Sequence, residues 1–320
     1  MCREYGAPDA VAVVTDQPSP FLADGQVRVR VRAAAVNFPD VLIVADQYQM
    51  RAPLPFVPGS EFAGVVTEIG AGVDTVAVGD RVSGTCFVGA FAEEVVVAAT
   101  ALTPVPGGVD DEHAAAFGVA HRTAFHVLRS VAAVQPEEHV IVLGAGGGVG
   151  LAAVQLATVL GASVTAVASS DEKLAAASTL GARTLVNHRS GELRSLLREA
   201  VPEGADVVVD PVGGALSEPA LRSLRWGGRF VTVGYASGDI PRIPLNLVLL
   251  KGVHVLGFQF IDFATHCAGE LARNEDELQR LLADGRVSPH IGATFALDEV
   301  VAALRHVAEG NAIGKVVLTI

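Results

Sequence analysis

The segment from Val140 to Ser170 constrains the fold most strongly, because it carries no charged residue and is long enough to cross a bilayer. A membrane helix is nevertheless a poor interpretation. Five glycines lie between Gly144 and Gly150, and glycine costs up to about 1 kcal/mol per site inside a helix. The same residues divide into strand VIVL, a glycine turn, helix LAAVQLATVL and strand SVTAVA. Uniformly apolar strands are typical of a parallel sheet that is buried on both faces.

The glycine turn, GAGGGVG over 144–150, is typical of a site for a dinucleotide pyrophosphate. Such a group needs close approach to the backbone and a helix N-terminus with free N–H groups. The spacing departs from GxGxxG and fits AxGxxG, and a plain tight turn would also use glycine. The strand before the turn and the helix after it favour the cofactor. The predicted contacts are Ala145, Gly147, Gly148, Val149 and Gly150.

The end of the next strand indicates which dinucleotide is bound. An NAD site usually places Asp or Glu there, on the ribose 2′-hydroxyl, whereas this strand ends in Ser169 and Ser170, with Lys173 close behind. Hydroxyls and a cation suit a 2′-phosphate, because each charge-assisted hydrogen bond contributes roughly 1.5–3 kcal/mol. His188 and Arg189 follow the next strand and are placed to close the same pocket. The alternative is a solvated Lys173 beside two acids, at 171 and 172. The pattern predicts NADPH rather than NADH.

The remaining sequence shows two patterns. Short runs punctuated by Gly and Pro predict an antiparallel, β-rich part: VRVRVR (27–32), FAGVVTEI (62–69), DRVSGT (80–85) and AEEVVVA (92–98). Acids at 110–112 open a predicted helix that stops near Gly118. From about 123 to 260 strands alternate with helices, which predicts a parallel doubly wound sheet. Two helices, at about 268–284 and 298–309, and the strand KVVLTI follow.

Composition limits the classes of function. The chain has 320 residues, of which 50% are hydrophobic and 18% charged, so we expect about two ordered domains. Its net charge of −12 disfavours nucleic acid and anionic membrane surfaces as partners. Cys2, Cys86 and Cys267 form no CxxC pair, and the start MCREYGAPDA lacks the apolar core of a signal peptide. These features predict a reducing, cytoplasmic location.

Seven stretches together span nearly the whole chain: VNFPDVLI (36–43), VPGSEFAGVV (57–66), VGDRV (78–82), GAGGGVGLAAVQLA (144–157), VVDPVGG (208–214), GGRFVTVGYASG (227–238) and GKVVL (314–318). In this order they resemble the zinc-independent medium-chain dehydrogenases/reductases, most closely the NADPH:quinone oxidoreductases. The resemblance implies an α/β fold with a GroES-like β-rich catalytic domain (1–122 and 261–320). A Rossmann NADPH-binding domain with a doubly wound parallel sheet (123–260) would lie between these parts in sequence, with the cofactor in the cleft. It also implies a strand before CREYG, so we expect an N-terminus that is either truncated or assigned to a different start.

Bound metal is not expected. The metal-dependent relatives hold catalytic zinc through a Cys, the His of a GHE motif and a later acid or Cys, but this position reads Gly59-Ser60-Glu61. Structural zinc needs four closely spaced cysteines, and the three here are scattered. His113, His121 and His126 lie near one another and invite a metal interpretation. Because an i, i+5 spacing puts His121 and His126 off a common helix face, solvated or packing roles are favoured.

The resemblance also implies roles for single residues. Asn37 would lie near the nicotinamide ribose, and Tyr48 would face the substrate and donate a proton, since tyrosine is protonated at neutral pH. A packing role for Tyr48 is the alternative. Thr123 would lie beside the nicotinamide, although His121 replaces the aromatic residue usually found two positions earlier. The other implied cofactor contacts are Gly234, Tyr235, Phe258 and Lys315.

The expected activity is reduction of quinones or α,β-unsaturated carbonyl compounds by hydride transfer from NADPH, without metal. Two alternatives stay open. An enoyl-thioester (enoyl-CoA) reductase shares the NxxD…Tyr arrangement, and a catalytically idle NADPH-binding sensor would keep the cofactor site alone. The expected partner is a small-molecule substrate, with no nucleic acid and no membrane. The resemblance further implies a homodimer formed through the Rossmann edge strand near 250–260.

Overall fold

The alternating and the uniformly apolar runs form two separate sheets in the computed structural model, which describes residues 1–320. The strands are β1 (Gln26–Val36), β2 (Glu61–Ile69), β3 (Arg81–Thr85), β4 (Glu94–Ala98), β5 (Leu102–Pro104), β6 (His139–Leu143), β7 (Ser163–Ala168), β8 (Thr184–Asn187), β9 (Ala205–Asp210), β10 (Leu224–Thr232), β11 (His254–Gly257), β12 (Ile291–Ala296) and β13 (Lys315–Thr319).

The helices are α1 (Phe38–Val44), α2 (Asp111–His126), α3 (Gly148–Val159), α4 (Asp171–Thr179), α5 (Leu193–Ala200), α6 (Ser217–Arg222), α7 (Leu245–Lys251), α8 (Phe260–His266), α9 (Ala268–Ala283) and α10 (Val300–Ala308). Short 3₁₀ turns lie at Pro8–Ala10, Ala99–Ala101, Gly214–Leu216 and Leu297–Glu299. Helix α2 continues into a π-helical turn, Val127–Val131. Such turns often lie at functional sites.

The first sheet has the strand order β12-β13-β1-β2-β3-β5, with β4 also paired to β1. Its pairs are antiparallel except for β12 with β13. In β1 the valines at 27, 29 and 31 are buried, while the arginines between them face the other side and keep contact with solvent. The strict alternation therefore gives one dry face, as predicted for this part of the chain.

The second sheet is parallel throughout, in the order β11-β10-β9-β6-β7-β8. The strand order reverses between β6 and β9, and ligands of doubly wound sheets bind at such a reversal, beyond the carboxyl ends of the strands. Every residue of β9, and all but the first of β6, is buried, which explains their apolar sequences. The predicted α/β fold class, a β-rich part plus a doubly wound parallel sheet, is confirmed.

The uncharged segment 140–170 forms most of β6, the glycine turn, α3 and β7. The longest helix within it therefore covers only Gly148–Val159. No helix of the protein combines the length and the apolar character that crossing a membrane requires.

The predicted helix stop near Gly118 is wrong, because α2 runs on to His126. A glycine inside a helix costs only about 1 kcal/mol, which neighbouring contacts can offset. The backbone approaches closely at this point: a Cβ on Gly118 would lie 3.1 Å from Glu61 Oε1. The glycine therefore gives the Glu61 carboxylate room beside the helix.

The chain forms two compact units, residues 1–119 with 288–320 (unit 1) and residues 120–287 (unit 2). The predicted domain ends at 122/123 and 260/261 stay predictions, but α8 and α9 group with unit 2. Glu275 of α9 accepts a hydrogen bond from Arg122 of α2 (2.7 Å) and is hydrogen-bonded to His126 Nε2 (2.9 Å). These partners are about 150 positions apart in sequence, so no local pattern indicates them.

Candidate active site

The glycine turn of unit 2 lies between the end of β6 and the start of α3. Gly144 has φ +60°, and the Gly147 N–H closes a turn onto the Gly144 carbonyl at 3.0 Å. Ala145 donates its N–H to Val167 of β7, which fixes the turn to the neighbouring strand. Gly147 is the N-cap of α3, so the first N–H groups of that helix have no partner inside it.

At two positions of the turn, a residue larger than glycine would clash with neighbouring atoms of the protein. A Cβ on Gly150 would lie 2.1 Å from the Gly144 carbonyl oxygen, and one on Gly146 would lie 2.5 Å from Lys173 Cβ. Gly147 differs, because the nearest atom to its Cβ would be 3.6 Å away. Room for an additional atom beside Gly147, next to a helix N-terminus, fits the close approach of a pyrophosphate. The predicted residues Ala145 to Gly150 therefore lie together in a suitable cradle.

The predicted phosphate-binding residues also lie together, beyond β7 and β8. The Ser170 hydroxyl accepts the Lys173 N–H at 3.4 Å, and Lys173 Nζ lies 3.5 Å from the Ser169 hydroxyl. Burial, then the charge of Arg189, lowers the pKa of Lys173. Burial, Arg189 and Lys173 likewise lower the pKa of His188. The charges of Lys173 and Arg189 at this sheet edge, with the neutral His188 ring beside them, favour an anionic ligand.

The two acids beside this cluster, Asp171 and Glu172, accept hydrogen bonds within the protein. Asp171 accepts a hydrogen bond from the Asn187 amide at 2.9 Å. A hydrogen bond to backbone N–H, and then the Ser170 hydroxyl, lowers the pKa of Glu172. Neither acid stands at the end of β7, where a carboxylate would bind a ribose 2′-hydroxyl.

The other residues implied for the nicotinamide side lie in unit 2 at the ends of β10 and β11 and in α2. Gly234 and Tyr235 follow β10, and a Cβ on Gly213 would meet the Tyr235 ring at 2.8 Å. Phe258 follows β11 and donates its N–H to Thr232. Thr123 is half-buried in α2.

The three histidines have different surroundings. His121 and His126 are buried in α2, and their Nε2 atoms are hydrogen-bonded to Gln155 and Glu275 respectively. His113 is bonded to Asp110 near the surface. No group of three or more His, Cys, Asp or Glu side chains in the protein could hold a metal ion.

A buried polar network occupies unit 1. Lys315 Nζ donates to Asn37 Oδ1 at 2.5 Å and to Glu61 Oε2 at 2.9 Å, and the Asn37 amide donates to the same Glu61 oxygen at 3.0 Å. The other Glu61 oxygen accepts the Val119 N–H at 2.7 Å. All three side chains are less than a tenth exposed. Asn37 and Lys315 therefore meet as a pair, and Glu61 is the partner that sequence reasoning missed.

Asp40 lies on the same helix cap and is buried. Its Oδ2 accepts the Asn37 N–H at 2.7 Å. Burial raises the pKa of Asp40 to about 7, against the opposing effects of that hydrogen bond, the Ser60 hydroxyl and Lys315. Burial, and then the Asp40 charge, raises the pKa of Tyr48 above its ordinary value. Tyr48 is half-buried, and with this raised pKa its phenol is protonated at neutral pH.

Cys86 follows β3 and is the other titratable group near Asp40. Its Sγ lies 3.7 Å from the Gly59 carbonyl. Burial, and then the Asp40 charge, raises the pKa of Cys86 to about 12. The thiol is therefore protonated at neutral pH and unsuited to nucleophilic or metal chemistry, both of which need the thiolate.

Family models match both parts of the chain. Residues 148–274 match zinc-binding dehydrogenase, and residues 23–107 match the alcohol dehydrogenase GroES-like domain. The chain thus belongs to the medium-chain dehydrogenases/reductases, a family of oxidoreductases. Quinone oxidoreductase-like protein 2 of Bos taurus is 39% identical over 322 residues, which cover 100% of this chain and 91% of that protein. Within the family the chain is therefore of the quinone oxidoreductase type, as its sequence suggested.

Solved structures support the same placement. The Escherichia coli quinone oxidoreductase complexed with NADPH has a TM-score of 0.89 and 27% identity, over 99% of this chain and 98% of its own. The CurK enoyl reductase has a TM-score of 0.87 and 26% identity, over 99% of this chain and 97% of its own.

Proposed function

We propose that the protein is an NADPH-dependent reductase of quinones or α,β-unsaturated carbonyl compounds. The observation that carries the proposal is a cluster beyond β7 and β8, next to a glycine turn with room for an additional atom at Gly147. The cluster consists of Ser169, Ser170, Lys173, His188 and Arg189. When bound, NADPH supplies the hydride. The NADPH complex of the Escherichia coli relative supports the same cofactor.

Unit 2 binds and orients the cofactor in this proposal. The N-terminus of α3, with Gly147, Gly148 and Val149, faces the pyrophosphate, and Lys173 with the two serines holds the 2′-phosphate. Thr123, Gly234, Tyr235 and Phe258 flank the nicotinamide.

In this proposal, a side chain of unit 1 donates the proton that the reduced substrate needs. Hydride addition to a quinone or an enone leaves an enolate-like oxygen that needs a donor, and Tyr48 supplies it. Asn37 orients the nicotinamide ribose. Lys315 is 3% exposed and donates hydrogen bonds to Asn37 and Glu61. Its main role in this proposal is therefore to hold the Asn37 side chain in place for the cofactor.

The reaction runs without zinc in this proposal. Asn37 and Ser60 are poor zinc ligands at neutral pH, and both Glu61 oxygens accept hydrogen bonds inside the protein. The Lys315 ammonium places a fixed positive charge in the network, next to Glu61. A metal ion would have to displace that charge.

An enoyl-thioester reductase is the second candidate, favoured by the likeness to the CurK enoyl reductase. Both reactions need a hydride and a proton donor, so Tyr48 serves either one. They differ in the substrate: a thioester of coenzyme A brings phosphates, whereas a quinone brings an apolar ring.

A substrate panel tests the proposal. Purified protein is given NADPH, EDTA and, in parallel, a quinone, a simple enone or crotonyl-CoA, and loss of the nicotinamide absorbance is followed. We expect turnover of the quinone or the enone, a kcat reduced by roughly 10²-fold or more in Tyr48→Phe, and little change in KM for NADPH. Preference for crotonyl-CoA would establish the second candidate. NADPH binding without turnover of any of these substrates would refute the reductase proposal and favour a catalytically idle NADPH-binding sensor.

Two further features belong to the proposal. The three cysteines are free thiols, which fits a reducing, cytoplasmic location. Exposed apolar side chains lie on α7 and β10, the two elements that precede edge strand β11, among them Leu249 at 82% and Trp226 at 80%. An open strand edge flanked by exposed apolar side chains fits a symmetric homodimer, in which β11 of one copy pairs with β11 of the other.

A further inference from the structure

Asp40 is a buried acid that the proposed hydride and proton transfers leave without a role. Its side chain is 1% exposed, and only one of its oxygens has a hydrogen-bond partner, the Asn37 N–H. The other oxygen, Oδ1, has none. A carboxylate oxygen buried without a donor is unfavourable, whereas a protonated carboxyl carries an O–H at that place. Ser60 lies beside the carboxyl, and its hydroxyl can both accept and donate a proton.

The groups around Asp40 come from several elements. Asn37 caps α1, Ser60 directly precedes β2, Glu61 opens β2, and Lys315 opens β13. Cys86 follows β3, and its thiol is protonated at neutral pH and so adds no charge. Burial and the Glu61 charge favour the protonated acid, while Lys315, the Ser60 hydroxyl and the Asn37 N–H favour the carboxylate. These opposing effects leave the pKa of Asp40 at about 7, so the protonated and ionised forms are both present at neutral pH. Asp40 can therefore gain and lose a proton under the conditions of turnover.

Tyr48 is within electrostatic reach of this carboxyl. After Tyr48 has given its proton away it is a phenolate, and an ionised Asp40 nearby would repel that charge. A protonated Asp40 removes the repulsion and offers the proton that Tyr48 needs. The transfer is downhill, because a carboxylic acid is stronger than a phenol even when burial weakens it.

We propose that Asp40 stores the proton that restores Tyr48 after each turnover, with the Ser60 hydroxyl as the bridge; this rests on the proposed reductase function. The Tyr48 O–H bond breaks as the proton goes to the reduced substrate, whose electron pair came with the hydride. The Asp40 O–H bond then breaks as the Tyr48 O–H bond forms again. Water reprotonates the Asp40 carboxylate. Asp40 acts through Tyr48, so it is a positioning residue that does not contact the substrate.

The first test uses the free protein and needs no substrate. Infrared difference spectra between pH 6 and pH 8 report the carbonyl stretch of a protonated carboxyl. We expect a band that disappears as the pH rises through about 7, and that is missing in Asp40→Asn. Asparagine keeps an acceptor for the Asn37 N–H, so this variant should fold. Asp206→Asn is the control, since Asp206 is a buried acid of unit 2 that is paired with Arg225. Absence of the band, or its survival in Asp40→Asn, would overturn the proposal.

The second test is the pH profile of kcat with a quinone or an enone. Asp40 is protonated below its pKa, so the wild-type kcat should fall as the pH rises through about 7. In Asp40→Asn we expect kcat at pH 6 to be lower by about tenfold or more, and the profile to be flat over this range. Ser60→Ala should slow the reaction too, and Ser60→Thr should rescue it. A wild-type profile in Asp40→Asn would refute proton storage, whereas an inactive wild type with a normal infrared band would count against the reductase alone.

Discussion

Lys315 holds a buried ammonium group against acceptors from two other elements, Asn37 at the cap of α1 and Glu61 at the start of β2. A charge removed from water is tolerated when its hydrogen bonds are made inside the protein. Removing one partner is costly, because it leaves the opposite charge buried and unpaired. Stability and the site geometry therefore depend on the same three side chains.

Replacement of Lys315 by methionine tests this dependence. We expect Lys315→Met to lower the free energy of unfolding by about 3–5 kcal/mol, since Glu61 loses its counter-charge. Arg129→Met is the matched control, because Arg129 forms an exposed ion pair with Glu277 and should change stability by about 1 kcal/mol or less. Urea unfolding followed by circular dichroism gives both values. Equal effects of the two substitutions would contradict a structural role for the buried pair.

The resemblance identified Asn37, Tyr48 and Lys315, but not what they touch. Glu61 is 254 positions from Lys315 in sequence, and only the pairing of β1 with β2 and β13 brings the two together. The unpartnered oxygen of Asp40 is likewise a property of the fold. The sequence therefore indicated which residues belong to the candidate site, but it did not indicate their hydrogen-bond partners or their burial.

At the scale of elements, the glycine turn performs two separate tasks. Gly150 lets α3 start close to β6, since a Cβ there would lie 2.1 Å from the Gly144 oxygen. A Cβ on Gly147 would meet only the Gly144 oxygen, at the ordinary contact distance of 3.6 Å, at the start of α3. Gly150 is therefore required by the fold, whereas Gly147 is the glycine that we propose for the ligand.

A pair of alanine substitutions separates these tasks. Gly150→Ala should lower the free energy of unfolding by about 1–3 kcal/mol, because the backbone must shift. Gly147→Ala should change stability by about 0.5 kcal/mol or less, but weaken NADPH binding by about tenfold or more, because a methyl group occupies the pyrophosphate position. Urea unfolding and titration of NADPH fluorescence measure the two effects. A Gly147→Ala variant that binds NADPH normally would show that the turn is not the pyrophosphate site.

The strands were predictable as elements because their hydrophobic patterns are clear. Apolar residues alternate with polar residues in β1, and they run almost without interruption through β6, β7 and β9. The course of α2 was not, because Gly118 is a stop signal in sequence and a contact with Glu61 in the fold. A glycine that makes room for a neighbour cannot be told from a glycine that ends a helix until the neighbour is known.

At the scale of the whole molecule, the parallel pairing of the second sheet follows from the alternation of strands and helices, which is why the fold class could be predicted. The assignment of α9 to unit 2 could not, because its partners His126 and Arg122 lie far away in sequence. The homodimer that we propose belongs to this scale too, because it would bury the exposed apolar side chains next to β11.

Charge on this surface should break the proposed dimer. In Leu249→Glu we expect a monomer by light scattering, with unchanged circular dichroism, because a buried unpaired carboxylate would oppose association. Phe21→Glu is the control: Phe21 is as exposed as Leu249, at 85%, but lies in unit 1. A wild type that is monomeric, or a Leu249→Glu variant that still dimerises, would rule out this interface.

Isotope transfer is the direct test of whether this chain transfers a hydride from NADPH to an electron-poor carbon. The protein is mixed with an enone and NADPH that carries deuterium at both nicotinamide C4 positions, in ordinary water with EDTA. We predict a reduced product with one deuterium bound to the carbon β to the carbonyl, and no label at the α carbon. Product without label, or no product while the NADPH is bound, would contradict the account.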